Sequence, residues 1–228
     1  MAIFKPFKAL RPTPEYASRV AALPYDVMNS DEAREMVKGN PHSFLHIDKA
    51  EIDLPLGTDL YSDEVYKKAA DNLRKSEEDG ICKTDETPCF YVYRQIMNGR
   101  EQTGLVGCAS VDDYINNHIK KHELTRADKE ADRIRHVDTC DANTGPIFLC
   151  YKGKTDIIDI IEEYKKGEPV YDFVTDDGIS NTVWIIKESD VCAKLSELLA
   201  DAGDFYIADG HHRCASAVNV AKMRREQN

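Results

Sequence analysis

The chain has 228 residues, 42% hydrophobic and 31% charged, a balance expected of a globular protein long enough to bury a core. Its net charge of −11 weighs against a duplex-DNA surface, which carries an excess of Lys and Arg, so no nucleic-acid partner is expected. No apolar run approaches the ~18 residues of a membrane span, and seven cysteines without a C-x-x-C pair argue against a disulfide framework and for a reducing, cytoplasmic setting.

No charged-then-apolar leader opens the chain. Ile3 to Leu10 reads as a short strand, and prolines at 6, 12, 14 and 24 keep this segment extended. Leu23-Pro24-Tyr25-Asp26-Val27 reads as a loop. Ser30 is a cap for a helix reaching Lys38, closed by Gly39. Ser43 to Ile47 reads as a strand. The clearest helix runs from Ser62 to about Asp79, with Val65, Tyr66, Ala69, Ala70 and Leu73 at helical spacing and Gly80 after it. A hairpin follows: Cys89 to Tyr93 and Gln102 to Val111 flank Asn98-Gly99, a pair suited to a type I′ turn. Imperfect alternation puts both strands near the middle of a sheet.

Thr125-x-x-Asp128 fits a capping box for a highly charged helix to about Val137, whose thin apolar stripe is Ala127, Ala131 and Ile134. Ile147 to Tyr151 reads as a short buried strand, and Thr155 as the cap of an isoleucine-rich helix. Val170 to Thr175 and Thr182 to Lys187 form a second hairpin around Asp177-Gly178, and Asp190 starts a helix. Strands and helices mix without regular alternation, so the fold class is α+β, a mixed sheet with flanking helices. Residues 1–228 read as one domain, with a sub-boundary near 80–88.

The last stretch is the most informative. Phe205 to Ala208 is an apolar strand, Asp209-Gly210 a tight turn, and a helix follows with Cys214, Ala217, Val218 and Ala221 as its stripe. Free N–H groups and the dipole at such a helix start favour an anion. Gly210 allows close approach of a ligand. His211, His212 and Arg213 add donors and charge in the first turn. Cations there oppose the dipole unless an anion binds. This reads as a phosphate or carboxylate site. Arg126 and Arg133 of the charged helix are further phosphate candidates, because guanidinium binds phosphate bidentately.

A second constellation is His118 to Glu123. Glu123 sits at a loop-to-helix junction, where catalytic groups often lie. A loop carboxylate beside Lys120, Lys121 and His122 is by default solvated. A carboxylate there can also orient a hydroxyl and take its proton.

Tyr206-Ile-Ala-Asp-Gly-His-His-Arg213 with its small-residue helix resembles the signature of the ParB/sulfiredoxin-like superfamily, in particular archaeal free serine kinases, which carry Asp-Gly-His-His-Arg after an apolar strand. The whole chain resembles a large, mostly uncharacterised prokaryotic family related to those kinases. The matching runs are Pro6 to Pro12, Leu23 to Val27, Lys121-His122-Glu123-Leu124-Thr125-Arg126 and Thr144-Gly145-Pro146. The resemblance implies a ParB/sulfiredoxin-like core and a kinase for free serine or a similar metabolite, with ATP or ADP as donor. Glu123 would be the acid/base residue, with Asp209 and His212 beside it in catalysis. Gly210 to Arg213 would hold the phosphates, Mg²⁺ would have Asp209 as carboxylate partner, and His122 and Thr125 would contact substrate. It also implies that family members run on past this motif, so residues beyond Asn228 are expected.

Two other classes compete. A nucleotide-binding switch without turnover would resemble the CTP-binding relatives of that fold. Sulfiredoxin-like chemistry needs a Cys inside the Gly-x-His-Arg turn, where this chain has His211, with Cys214 after the Arg. A metal held by His211 and His212 alone is disfavoured, because adjacent residues project differently from a helix. The oligomeric state is left open.

Overall fold

The computed structural model describes residues 2–227. In chain order the elements are β1 (Phe4–Lys5), β2 (Leu10–Pro12), α1 (Ala17–Val20), a 3₁₀ turn (Tyr25–Val27), α2 (Ser30–Met36), α3 (Leu45–Asp48) and a second 3₁₀ turn (Ala50–Asp53). Then come α4 (Asp63–Glu78), β3 (Cys82–Thr84), β4 (Phe90–Met97), β5 (Arg100–Val106), β6 (Cys108–Ala109), α5 (Val111–Ile115) and β7 (Ile119–Lys120). The remainder is α6 (Ala127–Cys140), β8 (Phe148–Cys150), α7 (Thr155–Tyr164), β9 (Tyr171–Val174), β10 (Ser180–Ile186), α8 (Ser189–Ala200), β11 (Phe205–Asp209) and α9 (His211–Gln227). The class is α+β. In place of one mixed sheet there are small sheets, ordered β1-β6, β5-β4-β10-β9, β7-β11-β8 and β2-β3.

The chain forms two interleaved compact units. The first holds residues 1–18, 83–120 and 149–206; the second holds 19–82, 121–148 and 207–228.

In the first unit, the four-stranded sheet is antiparallel throughout. Asn98 (φ 52°) and Gly99 (φ 76°) both lie in the left-handed region, so β4 and β5 join through a two-residue turn of the I′ kind. Of these two strands only β4 is central. β5 is the edge, and its mostly exposed residues account for the imperfect alternation. It ends at Val106, short of the predicted Val111. Gly107 intervenes, where a Cβ would lie 2.6 Å from both the Phe4 and Phe90 rings. The chain bends there and β6 pairs with β1. Arg11 grips Asp85 with its Nε and Nη2, and donates from Nη1 to the Tyr171 hydroxyl at 2.8 Å. β11 pairs in parallel with β7 through Phe205–Ile119 and Tyr206–Lys120. The predicted buried strand at 147–151 is instead β8, with Phe148 and Cys150 exposed.

The second unit is mostly helical. Tyr66 and Ala69 of α4 are buried, and α6 packs against both α4 and α9. Ser43–Ile47 is not a strand. A short apolar run does not distinguish strand from helix, and here Leu45 and Ile47 are buried on a helical turn while Ser43 Oγ accepts from the Leu45 N–H at 3.3 Å. Asn29, not Ser30, caps α2. Its side chain accepts from the Asp31 and Glu32 amides and Glu32 returns the bond, leaving Ser30 to donate to Glu51 at 2.7 Å. Thr125 forms no capping box, because its hydroxyl donates to Glu130 at 2.6 Å; Arg126 occupies the cap position without a side-chain bond.

The buried face of α6 is polar. Ala131 is exposed, whereas Arg133 and His136 are buried. Arg133 lies 4.2 Å over the Tyr25 ring and bonds Asp132 at 3.0 Å, and Asp132 accepts from the Tyr66 hydroxyl at 2.8 Å. Burial pulls the Arg133 pKa down, but Asp132 and Tyr25 outweigh it and hold the guanidinium above its ordinary value. His136 Nε2 meets the Ile47 carbonyl at 3.1 Å.

Candidate functional site

The site lies within the second unit and starts where β11 gives way to α9. Gly210 has φ +88°, a conformation that L side chains rarely adopt, so the chain turns there at little steric cost. The Cys214 N–H donates to the Gly210 carbonyl at 2.8 Å, which starts the helix. The amides of His211, His212 and Arg213 then have no carbonyl within the helix to bond. The buried stripe of α9 begins with His211 itself: His211, Cys214, Ala215 and Val218 are buried. Ala217 and Ala221 are only half-buried.

A cleft with a cavity volume of about 70 Å³ opens at this turn, lined by Asp209 to Arg213, by Glu123, and by Tyr25 and Asp26 of the first 3₁₀ turn. Glu123 and the helix start at His211, 88 positions apart in sequence, thus face one space: Glu123 Oε2 lies 3.6 Å from His211 Nδ1. His122 joins them, with its Nε2 3.9 Å from Glu123 Oε1 and its ring edge-on to His211 at 4.4 Å between centroids. Glu123 is well exposed, whereas the His211 side chain is 5% exposed.

Arg213 does not reach into open space. Its guanidinium bonds the Asp209 carboxylate and the Pro146 carbonyl. Two glycines make room for it. A Cβ on Gly145 would lie 3.0 Å from Arg213 Cδ, and one on Gly210 would lie 3.2 Å from Arg213 Nε. Thr144-Gly145-Pro146 therefore contacts the site through Arg213, and Thr144 itself donates to Asp48 at 2.7 Å. His212 Nε2 accepts the Arg126 backbone N–H at 3.1 Å and ties the end of the Glu123 loop to α9.

Thr125, Arg126 and Arg133 stand outside the lining. Thr125 is engaged with Glu130, the Arg126 guanidinium with Asp128, and Arg133 acts on the cleft only through the Tyr25 ring. Tyr25 and Asp26 had not been singled out as site residues. Their signal was present, since Leu23-Pro24-Tyr25-Asp26-Val27 is one of the runs that carried the resemblance. Burial raises the Tyr25 hydroxyl pKa, with the Arg133 charge working against it.

The lining charge differs from the expected anion pocket. Three carboxylates, Asp26, Glu123 and Asp209, face one guanidinium already paired with Asp209. Such a lining disfavours a bare anion and favours a cation. Cys214 is buried, and burial pushes its thiol up to about 11, which suits packing and not a nucleophile.

A model of the family described as "Protein of unknown function (DUF1015)" matches residues 4–228. The chain belongs to the DUF1015 family. No curated protein and no solved structure matches it. In this DUF1015 chain no helix among the described residues is long and apolar enough to cross a membrane.

Proposed function

We propose that this DUF1015 protein transfers a phosphoryl group from ATP or ADP to the hydroxyl of a small metabolite, with free serine the first acceptor to test. The observation that carries the reading is the single cleft in which the Glu123 carboxylate and the amide-bearing start of α9 meet. The amides of residues 211–213 would hold the transferred phosphate. Mg²⁺ would bridge phosphate oxygens, with Asp209 or Asp26 as a carboxylate partner, and would offset the acidic lining. Glu123 would orient the acceptor hydroxyl and take its proton.

The cleft's size limits what it encloses. Its cavity volume of about 70 Å³ lies well below that of pockets that enclose a whole ligand. It suits a single phosphate group and leaves the acceptor and the nucleoside largely outside. The reading carries with it a ParB/sulfiredoxin-like core and kinship with the free serine kinases.

A second reading, nucleotide binding without turnover, is favoured by Arg213. Its guanidinium is engaged with Asp209 and Pro146 and is not free for transition-state charge. The deciding assay incubates the protein with Mg²⁺, serine and either nucleotide, and looks for phosphoserine by mass spectrometry. Product that falls by about 10²-fold or more in Glu123→Gln supports the kinase. Tight nucleotide binding without consumption supports the second reading, and neither product nor binding removes both.

A further inference from the structure

We propose that His122, Glu123 and His211 form a binding site for a divalent first-row transition-metal ion of the zinc class. Each of the three offers one ligand atom, and these atoms all lie within 4.8 Å of one another. Two of the separations are 3.6 Å (His211 Nδ1 to Glu123 Oε2) and 3.9 Å (His122 Nε2 to Glu123 Oε1). Ligands at 2.0–2.2 Å around a tetrahedral ion stand about 3.4 Å apart. These two distances end on different oxygens of Glu123, so the carboxylate must rotate to present one oxygen to both imidazoles, and separations of up to 4.8 Å must close toward about 3.4 Å. The residues that would move are free to do so, since the His122 and Glu123 side chains are 59% and 61% exposed.

His211 supplies the second observation. Its side chain is 5% exposed, its Nε2 is buried without a hydrogen-bond partner, and its Nδ1 stands beyond hydrogen-bond reach of Glu123. A buried ring nitrogen without a hydrogen-bond partner is uncommon in a folded protein. A metal bound at Nδ1 would give the ring a strong partner on the side that faces Glu123. The immediate surroundings add to the pull on a cation, with Asp26 and Asp209 lining the same cleft.

The ligand set selects the ion. Two imidazoles and one carboxylate suit zinc, iron or nickel, whereas Mg²⁺ prefers an all-oxygen octahedron. Three protein ligands also leave a position open toward the cleft, as in catalytic zinc sites. Glu123 can ligate through one oxygen and keep the other free. The site is therefore compatible with phosphoryl transfer but does not rest on it, because metal binding is read with no nucleotide present.

The test strips the full chain with a chelator, removes the chelator, and titrates Zn²⁺ calorimetrically, with Co²⁺ as a spectroscopic probe. The native chain is expected to take one ion, to show visible Co²⁺ bands of imidazole–carboxylate ligation, and to keep Co²⁺ against excess Mg²⁺. Separate His122→Ala and Glu123→Gln substitutions, both at exposed side chains, should weaken Zn²⁺ binding about tenfold or more. His42→Ala, at a histidine outside the cluster, should leave it unchanged. His211→Gln tests the buried ligand, with circular dichroism checking that the variant folds. Absence of Zn²⁺ binding by the native chain, or equal binding in His122→Ala and Glu123→Gln, overturns the proposal. So does a loss in His42→Ala as large as theirs.

Discussion

Replacing Gly210 with Ala tests whether the turn and the Arg213 clamp form one unit. The φ of +88° at Gly210 costs an L residue about 1–2 kcal/mol. The new Cβ would stand 3.2 Å from Arg213 Nε, 3.3 Å from Cζ and 3.4 Å from Nη2, so the guanidinium must give by a few tenths of an ångström. Its retreat is restricted, because Gly145 lies against Arg213 Cδ and the fork is held by Asp209 and Pro146. Weakening those charge-assisted bonds adds about 1 kcal/mol. The expected loss is about 2–3 kcal/mol, or a melting shift of about 4–12 °C at this chain length. The assay should be far-UV circular dichroism. The single tryptophan, Trp184, belongs to β10 in the first unit, while the long helices α4, α6 and α9 lie in the second. With two compact units the helical transition should be fitted by itself. In an Arg213→Ala background the same substitution should cost about 1 kcal/mol less. A Gly210→Ala loss below about 0.5 kcal/mol, or an equal loss in both backgrounds, would refute the reasoning.

Other expectations follow from buried groups in the second unit. Arg133→Ala leaves Tyr25 and Asp132 without a guanidinium that is only 10% exposed, and should destabilise the unit by about 3 kcal/mol; thermal melting checks it, and Arg133→Lys should restore only part of the loss, since an ammonium does not stack in the same way. His136 is held below its usual pKa by burial and by the Arg133 charge, so the unfolded chain takes up its proton first as pH falls. The stability due to neutral His136 is therefore complete above the ordinary histidine pKa of about 6.5 and declines as pH drops below it. Urea midpoints measured across that window should show the decline, and His136→Gln should flatten it. Burial also lifts the Cys140 and Cys214 thiols to about 11, so a thiol reagent at neutral pH should label exposed Cys150 in the native protein and reach Cys214 only on unfolding. Rapid native labelling of Cys214 would contradict its placement.

Local patterns were readable where one residue type answers one geometric need. Asn98-Gly99 announced its hairpin because two successive left-handed residues are tolerated by few pairs. Asp209-Gly210 before a small-residue helix announced the turn for the same reason, and Val65, Tyr66 and Ala69 announced α4 through their spacing. The errors arose where a partner distant in sequence decided the matter. Ser43 to Ile47 is short enough to be strand or helix, and the buried positions of Leu45 and Ile47 chose helix. Thr125 had a capping spacing but a better acceptor in Glu130. The charged helix looked wet on every face but one, yet it buries Arg133 and His136, because Tyr25, Asp132 and the Ile47 carbonyl receive them.

For this protein the order of residues alone determined the α+β class, the turn at Gly210 and the choice of Glu123 as a residue to watch. Only the tertiary structure decided that Glu123 and His122 meet His211, that Arg213 is held by Asp209 and Pro146, and that the cleft is acidic. The physical reason is range. Backbone conformation and helix periodicity are settled within a few residues, whereas the charge and coordination of a site depend on side chains brought together across 88 positions of chain.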